Sequence, residues 1–121
     1  MRPLLSTFAL SVLVATALVA PSVAASVQLD RPVVLFFGDS LTAGFGVAEG
    51  EAFPARIQEL IDEAGLPHRV VAAGVSGETS AGGRRRIDWV LRQPVAVLVL
   101  ELGGNDGLRG IPPAETEANL Q

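Results

Sequence analysis

The chain has 121 residues, 49% hydrophobic and 18% charged, with no cysteine, no lysine and a single histidine. That length allows one domain at most, since independent domains usually run to roughly 100–150 residues. The cysteine count excludes a disulfide scaffold and thiolate metal sites, the lone histidine excludes paired-histidine zinc sites, and nine arginines against thirteen acids argue against a nucleic-acid partner.

The apolar excess is concentrated at the N-terminus. Arg2 is followed by an uncharged run from Leu4 to Ala20, then by Pro21 and the small residues Ser22-Val23-Ala24. This is the pattern of a signal peptide over residues 1–25, with cleavage after Ala24 or Ala25 equally compatible. An uncleaved anchor is the competing reading, because the run approaches the ~20 residues that span a bilayer. The single leading arginine and the small residues behind Pro21 favour cleavage, hence export to the periplasm or the medium with no stable span remaining.

From residue 26 onward strands and helices alternate. Val33-Val34-Leu35-Phe36-Phe37 reads as a buried parallel strand. Phe53, Ile57, Leu60 and Ile61 fall on one face of a helix over Phe53 to Ala64, with Pro54 in its first turn and Gly65 and Pro67 after its end. Val70 to Ala73 forms a second strand. Thr79 or Ser80 caps a helix reaching about Gln93, with Ile87, Val90 and Leu91 as its core stripe, although Gly82-Gly83 weakens its start. Pro94 ends that helix, and Val95 to Leu100 reads as the strongest strand.

This alternation predicts βαβ units, a parallel α/β sheet and right-handed crossovers. Each strand is followed by a glycine-rich loop, and loops at the carboxyl ends of such strands form the ligand site. The first carries Gly38-Asp39-Ser40-Leu41, the second Ser76-Gly77-Glu78-Thr79-Ser80, and the third Gly103-Gly104-Asn105-Asp106-Gly107. Acyl transfer needs a nucleophile, a base to take its proton, and donors aimed at the developing oxyanion. Ser40, behind a glycine that tolerates a tight turn, is the candidate nucleophile. The backbone N–H groups of Ser40 and Gly77 and the neutral amide of Asn105 are candidate donors. Taken singly, these segments also read as ordinary turns and a helix cap.

Together the three motifs resemble the first three blocks of the SGNH (GDSL) hydrolases. Residues Glu101 to Gly110 resemble the branch containing bacterial periplasmic arylesterases, thioesterase I and lysophospholipase L1. The resemblance runs from about Val33 to Gln121. It implies a three-layer αβα, flavodoxin-like fold truncated at its C-terminus, and makes Ser40 the nucleophile and Gly77 and Asn105 oxyanion donors. It also implies small acyl esters, thioesters or lysophospholipids as substrates, with no metal or cofactor.

In that family the base and its acid lie in an Asp-x-x-His block well beyond the asparagine, and no such block occurs here. His68 precedes the second strand, at the end opposite the site, and reads as a solvated loop residue. Glu115 to Gln121 reads as the opening turns of a helix with no stop signal. The expectation is therefore an N-terminal hydrolase fragment with little or no turnover of its own, whose Val95–Leu100 strand is an open edge prone to aggregation. Its oligomeric state is not legible.

A non-catalytic exported α/β binding module is the alternative reading. A nucleotide-binding domain is disfavoured, because Gly44 to Gly50 misses the G-x-G-x-x-G spacing and a lysine-free chain has no phosphate-binding P-loop. Arg84-Arg85-Arg86 reads as a solvated helix face. Trp89 is expected in helix–sheet packing. Phe45 stands open between pocket lining and plain loop, as do Leu108, Ile111, Pro112 and Pro113.

Overall fold

A computed structural model describes residues 31–48 and 50–121, so the expected signal segment 1–25 lies outside the described residues. The apolar run after Pro32 forms strand β1, Val33–Gly38, the middle of a three-stranded sheet. Strand β2, Arg69–Gly74, lies on one side and β3, Val97–Glu101, on the other, both parallel to β1. Gly38 is in register with both Gly74 and Glu101, so the three strands end level and release their following loops at one edge.

Five helices connect or follow these strands: α1, Ser40–Ala43; α2, Phe53–Glu63; α3, Ser80–Val90; α4, Gly104–Leu108; and α5, Pro113–Leu120. Alternation along β1 separates two helical layers. Val33, Leu35 and Phe37 pack with Ile87 and Val90 of α3. Phe36, pointing the other way, meets Phe53 of α2 edge-on at 5.3 Å between ring centroids. The chain therefore folds as α2, sheet and α3 in three layers, with the reversal of strand order at β1 that marks a doubly wound sheet.

The end of α3 and the start of β3 differ most from the sequence expectation. Helix α3 stops at Val90, short of Gln93, because Pro94 disfavours helical backbone at the residue before it and the last turn unwinds early. Strand β3 begins at Val97; Val95 and Ala96 lead into it, with Ala96 N–H bonded to Val33 O. Trp89 is a clear correction. It is 68% exposed, because α3 turns Ile87 and Val90 toward the sheet and leaves position 89 on its flank. The glycine pair does not delay α3, which starts at Ser80 with Thr79 Oγ1 accepting from Gly82 N–H.

Strand β3 is an edge among the described residues. Val97, Leu98 and Leu100 are all more than 40% exposed. Leu98 and Leu100 line an open groove of about 450 Å³ with Ile87, Leu102 and Leu120.

Candidate active site

The three loops meet where the strands end. Asp39 leaves β1 and caps α1, its Oδ1 accepting from Leu41 N–H at 3.0 Å, which sets Ser40 as the first helical residue. A first-turn N–H has no intrahelical acceptor, and the Ser40 amide has none elsewhere among the described residues, so it remains an available donor. Gly38 serves here by its size rather than by freedom at a tight turn. A Cβ on it would sit 2.2 Å from Thr42 Oγ1 and 2.7 Å from Glu101 O. That space lets Thr42, fully buried, donate to Glu101 Oε2 at 3.0 Å and tie α1 to the end of β3.

The second loop turns at Gly77, whose φ of +78° suits glycine and few other residues. Gly77 N–H has no acceptor among the described residues. Its carbonyl accepts from Arg109 at 2.8 Å, a contact contributed by the third loop.

Asn105, on α4, joins all three loops. Its Nδ2 donates to Asp39 Oδ2 and to the Glu78 carbonyl, each at 3.0 Å. Two acceptors facing one nitrogen fix which end of the amide is which. Ser40 and Gly77 are the chain neighbours of those two acceptor residues, so the structure brings Ser40, Gly77 and Asn105 to one edge. Both Nδ2 hydrogens already have partners, so an incoming oxyanion has to share or replace one of them.

Asp106, whose segment taken singly also reads as a tight turn, is a buried carboxylate in α4, 1% exposed. It accepts from Ser80 N–H at 2.8 Å, from Ser80 Oγ, and from Thr116 Oγ1 at 3.2 Å. Burial is the strongest single influence on its titration and favours the neutral acid. The bonds from Ser80 and Thr116 together outweigh burial and hold its carboxyl below the ordinary value. The effect is a clamp: the residue after Asn105 is fastened to the start of α3 and to α5.

Arg86 is a second correction. Arg84 and Arg85 are exposed as expected of a solvated face, but Arg86 turns inward to a bidentate pair with Glu78. No sequence pattern separates it from its two neighbours except its position one residue before Ile87 of the core stripe. Phe45 and Leu108 are 78% and 88% exposed.

His68 lies where the sequence placed it, just before β2 and opposite Pro32 in the strand register. Six residues of strand separate that level from Gly38, about 20 Å at ~3.3 Å per residue. Among the described residues no three histidine or acidic groups are placed to hold a metal ion.

The GDSL-like Lipase/Acylhydrolase family model matches residues 36–121, from within β1 to the last residue. The chain belongs to that family. Among its acylhydrolase relatives, the chain is 42% identical to Esterase TesA of Pseudomonas aeruginosa over 94 residues, 77% of this chain and 47% of that protein. It is 44% identical to Thioesterase 1/protease 1/lysophospholipase L1 of Escherichia coli K12 over 90 residues, 73% of this chain and 41% of that one. Among solved structures, AlinE4, an SGNH-hydrolase family esterase, superposes with a TM-score of 0.71 at 45% identity, covering 75% of this chain and 50% of that one. The chain thus spans about half the length of the acylhydrolases it matches. The three-layer parallel fold and the family resemblance read from the loop motifs are both borne out.

Proposed function

We propose that this chain carries the nucleophile and oxyanion-hole part of a serine ester hydrolase, with Ser40 as nucleophile and Ser40 N–H, Gly77 N–H and Asn105 Nδ2 as donors. The observation that carries this reading is the Asn105 amide, which bonds Asp39 and Glu78 and so gathers the first and second loops around one point. In the reaction Ser40 Oγ gives its proton to a base and attacks the acyl carbon, and the carbonyl electrons move onto oxygen. The three donors then stabilise that charge. Asn105 exchanges its bond to Asp39 for one to the oxyanion, which is why its second anchor at Glu78 matters. Collapse of that adduct breaks the bond to the alcohol or thiol, which takes up a proton as it leaves.

The substrate class is small acyl esters, thioesters or lysophospholipids, in keeping with the names of the relatives. Serine at its free pKa is a poor nucleophile and needs a base beside it. His68 is about 20 Å away along the strand direction. Turnover therefore calls for an acid–base pair from outside these 121 residues. Export, directed by residues 1–25, is part of the proposal; secretion of a reporter fused behind residue 25, and its retention after Leu4–Ala20 is interrupted by charge, tests it.

The functional test is hydrolysis of a p-nitrophenyl acyl ester. The 121-residue chain is expected to give no more than its Ser40→Ala variant, while a relative of full length turns the ester over. Serine-dependent turnover by the chain alone at a comparable rate contradicts the need for an outside base. A Ser40 that forms no adduct under any condition favours the non-catalytic binding module instead.

A further inference from the structure

We infer that Arg86 and Glu78 form a positioning pair that holds the second loop where it anchors Asn105. The inference rests on the reading of Gly77 and Asn105 as oxyanion donors and adds a residue pair that touches no substrate.

Arg86 reaches from α3 to the ends of two strands and to the loop that follows β2. Its Nη2 donates to Ala73 O at 2.8 Å and to Gly38 O at 3.3 Å, at the carboxyl ends of β2 and β1. Its Nε donates to both Glu78 oxygens, at 2.7 and 2.9 Å, and Nη2 adds a further bond to Oε2. The guanidinium carbon lies over the Phe37 ring, 3.9 Å from its centroid. A planar fork meets a carboxylate, two carbonyls and a ring face at once, a set of contacts that only arginine satisfies.

Glu78 is the more deeply held partner, 8% exposed against 22% for Arg86. Gly82 makes room for it, since a Cβ there would come within 2.9 Å of Glu78 Cγ. The Glu78 side chain is thus fixed to α3, and its main-chain carbonyl, held still as a result, accepts a hydrogen bond from Asn105 Nδ2 at 3.0 Å. Gly77 is the preceding residue. The pair therefore sets the position of one donor directly through the chain and of the other through a single hydrogen bond. The glycine at 82, which weakens a helix start on propensity alone, is explained by the same contact.

The chain has two asparagines, Asn105 and Asn119. Asn119 bonds Ser80 Oγ at 3.0 Å and Arg84 at 3.5 Å, neither Glu78 nor Arg86, and serves as the internal control. In the ¹⁵N-labelled 121-residue chain, side-chain amide exchange is followed for both. Glu78→Gln keeps the main-chain carbonyl and removes the charge; Arg86→Lys keeps the charge and removes the fork. Each variant is expected to speed exchange at Asn105 about tenfold, as expected when a charge-assisted anchor is lost, and to leave Asn119 within about twofold. An unchanged Asn105 in both variants overturns the inference. So does equal acceleration at both asparagines, or loss of the dispersed amide spectrum in both variants, because either assigns the pair to general stability. The readout needs no turnover, so an unreactive Ser40 would count against the hydrolase reading and leave this result intact.

Discussion

Removing the Asp106 carboxylate gives the sharpest test of how the third loop is held. Asp106→Ala strips the acceptor from Ser80 N–H, from Ser80 Oγ and from Thr116 Oγ1, at a residue fully enclosed by protein. Hydrogen bonds to a charged group contribute about 1.5–3 kcal/mol each. The sum is less than three times that, since Ser80 Oγ keeps its bond from Asn119 and charge burial opposes the folded form. A loss of about 3–5 kcal/mol is expected, within the range of a broken buried network. In a domain of this size each kcal/mol corresponds to roughly 4–8 °C of melting temperature. The milder Thr116→Val removes one neutral donor and should cost about 1 kcal/mol.

The pH dependence carries a definite sign. The folded carboxyl titrates below its ordinary value, so its contribution is complete above about pH 4 and is lost as pH falls from there toward the folded pKa. Urea unfolding followed by circular dichroism at pH 7 and at pH 3 should therefore show the gap between parent and Asp106→Ala narrowing in acid. A gap below about 1 kcal/mol at pH 7, or one that is unchanged at pH 3, would refute the clamp.

Three further outcomes follow from the same contacts. Gly74→Ala would place a Cβ 2.3 Å from Ala43 N and 2.7 Å from Asp39 O, both main-chain atoms, so α1 must shift; thermal melting should reveal a loss of about 1–3 kcal/mol. Gly83→Ala meets the end of the Leu102 side chain at 2.3 Å and should cost less than Gly74→Ala, because a side chain can turn aside; equal melting losses would contradict this. The β3 edge, unpaired among the described residues, should make the chain self-associate with rising concentration, and Leu98→Lys should reduce that association in sedimentation velocity.

The fold was legible because each strand is built on an apolar run and has a glycine at its end or within two residues beyond it. Val33–Phe37 and the stretch ending at Leu100 have the composition of strands in a parallel sheet, and Gly38, Gly74 and Gly103 mark where the chain leaves it. The order of the motifs also placed Ser40, Gly77 and Asn105 on one edge. What the sequence hid were pairings that depend on where a side chain turns. Arg86 sits in a run of three arginines, and only the rotation of α3 that buries Ile87 and Val90 brings it over Phe37. Trp89 was misplaced by the same rotation, since its size suggested burial and its position denied it. Asp106 looked like turn chemistry because its three donors lie 26 and 10 residues away.

The central claim is that Ser40 is a nucleophile furnished with donors but with no imidazole beside it. Intact-mass analysis after exposure of the 121-residue chain to an alkyl fluorophosphonate, with imidazole titrated in as an external base, addresses it directly. A phosphonyl adduct on Ser40 that forms slowly alone, faster with rising imidazole, and never in Ser40→Ala is the predicted result. A chain that stays unlabelled at every imidazole concentration, or is labelled elsewhere than Ser40, would contradict the claim.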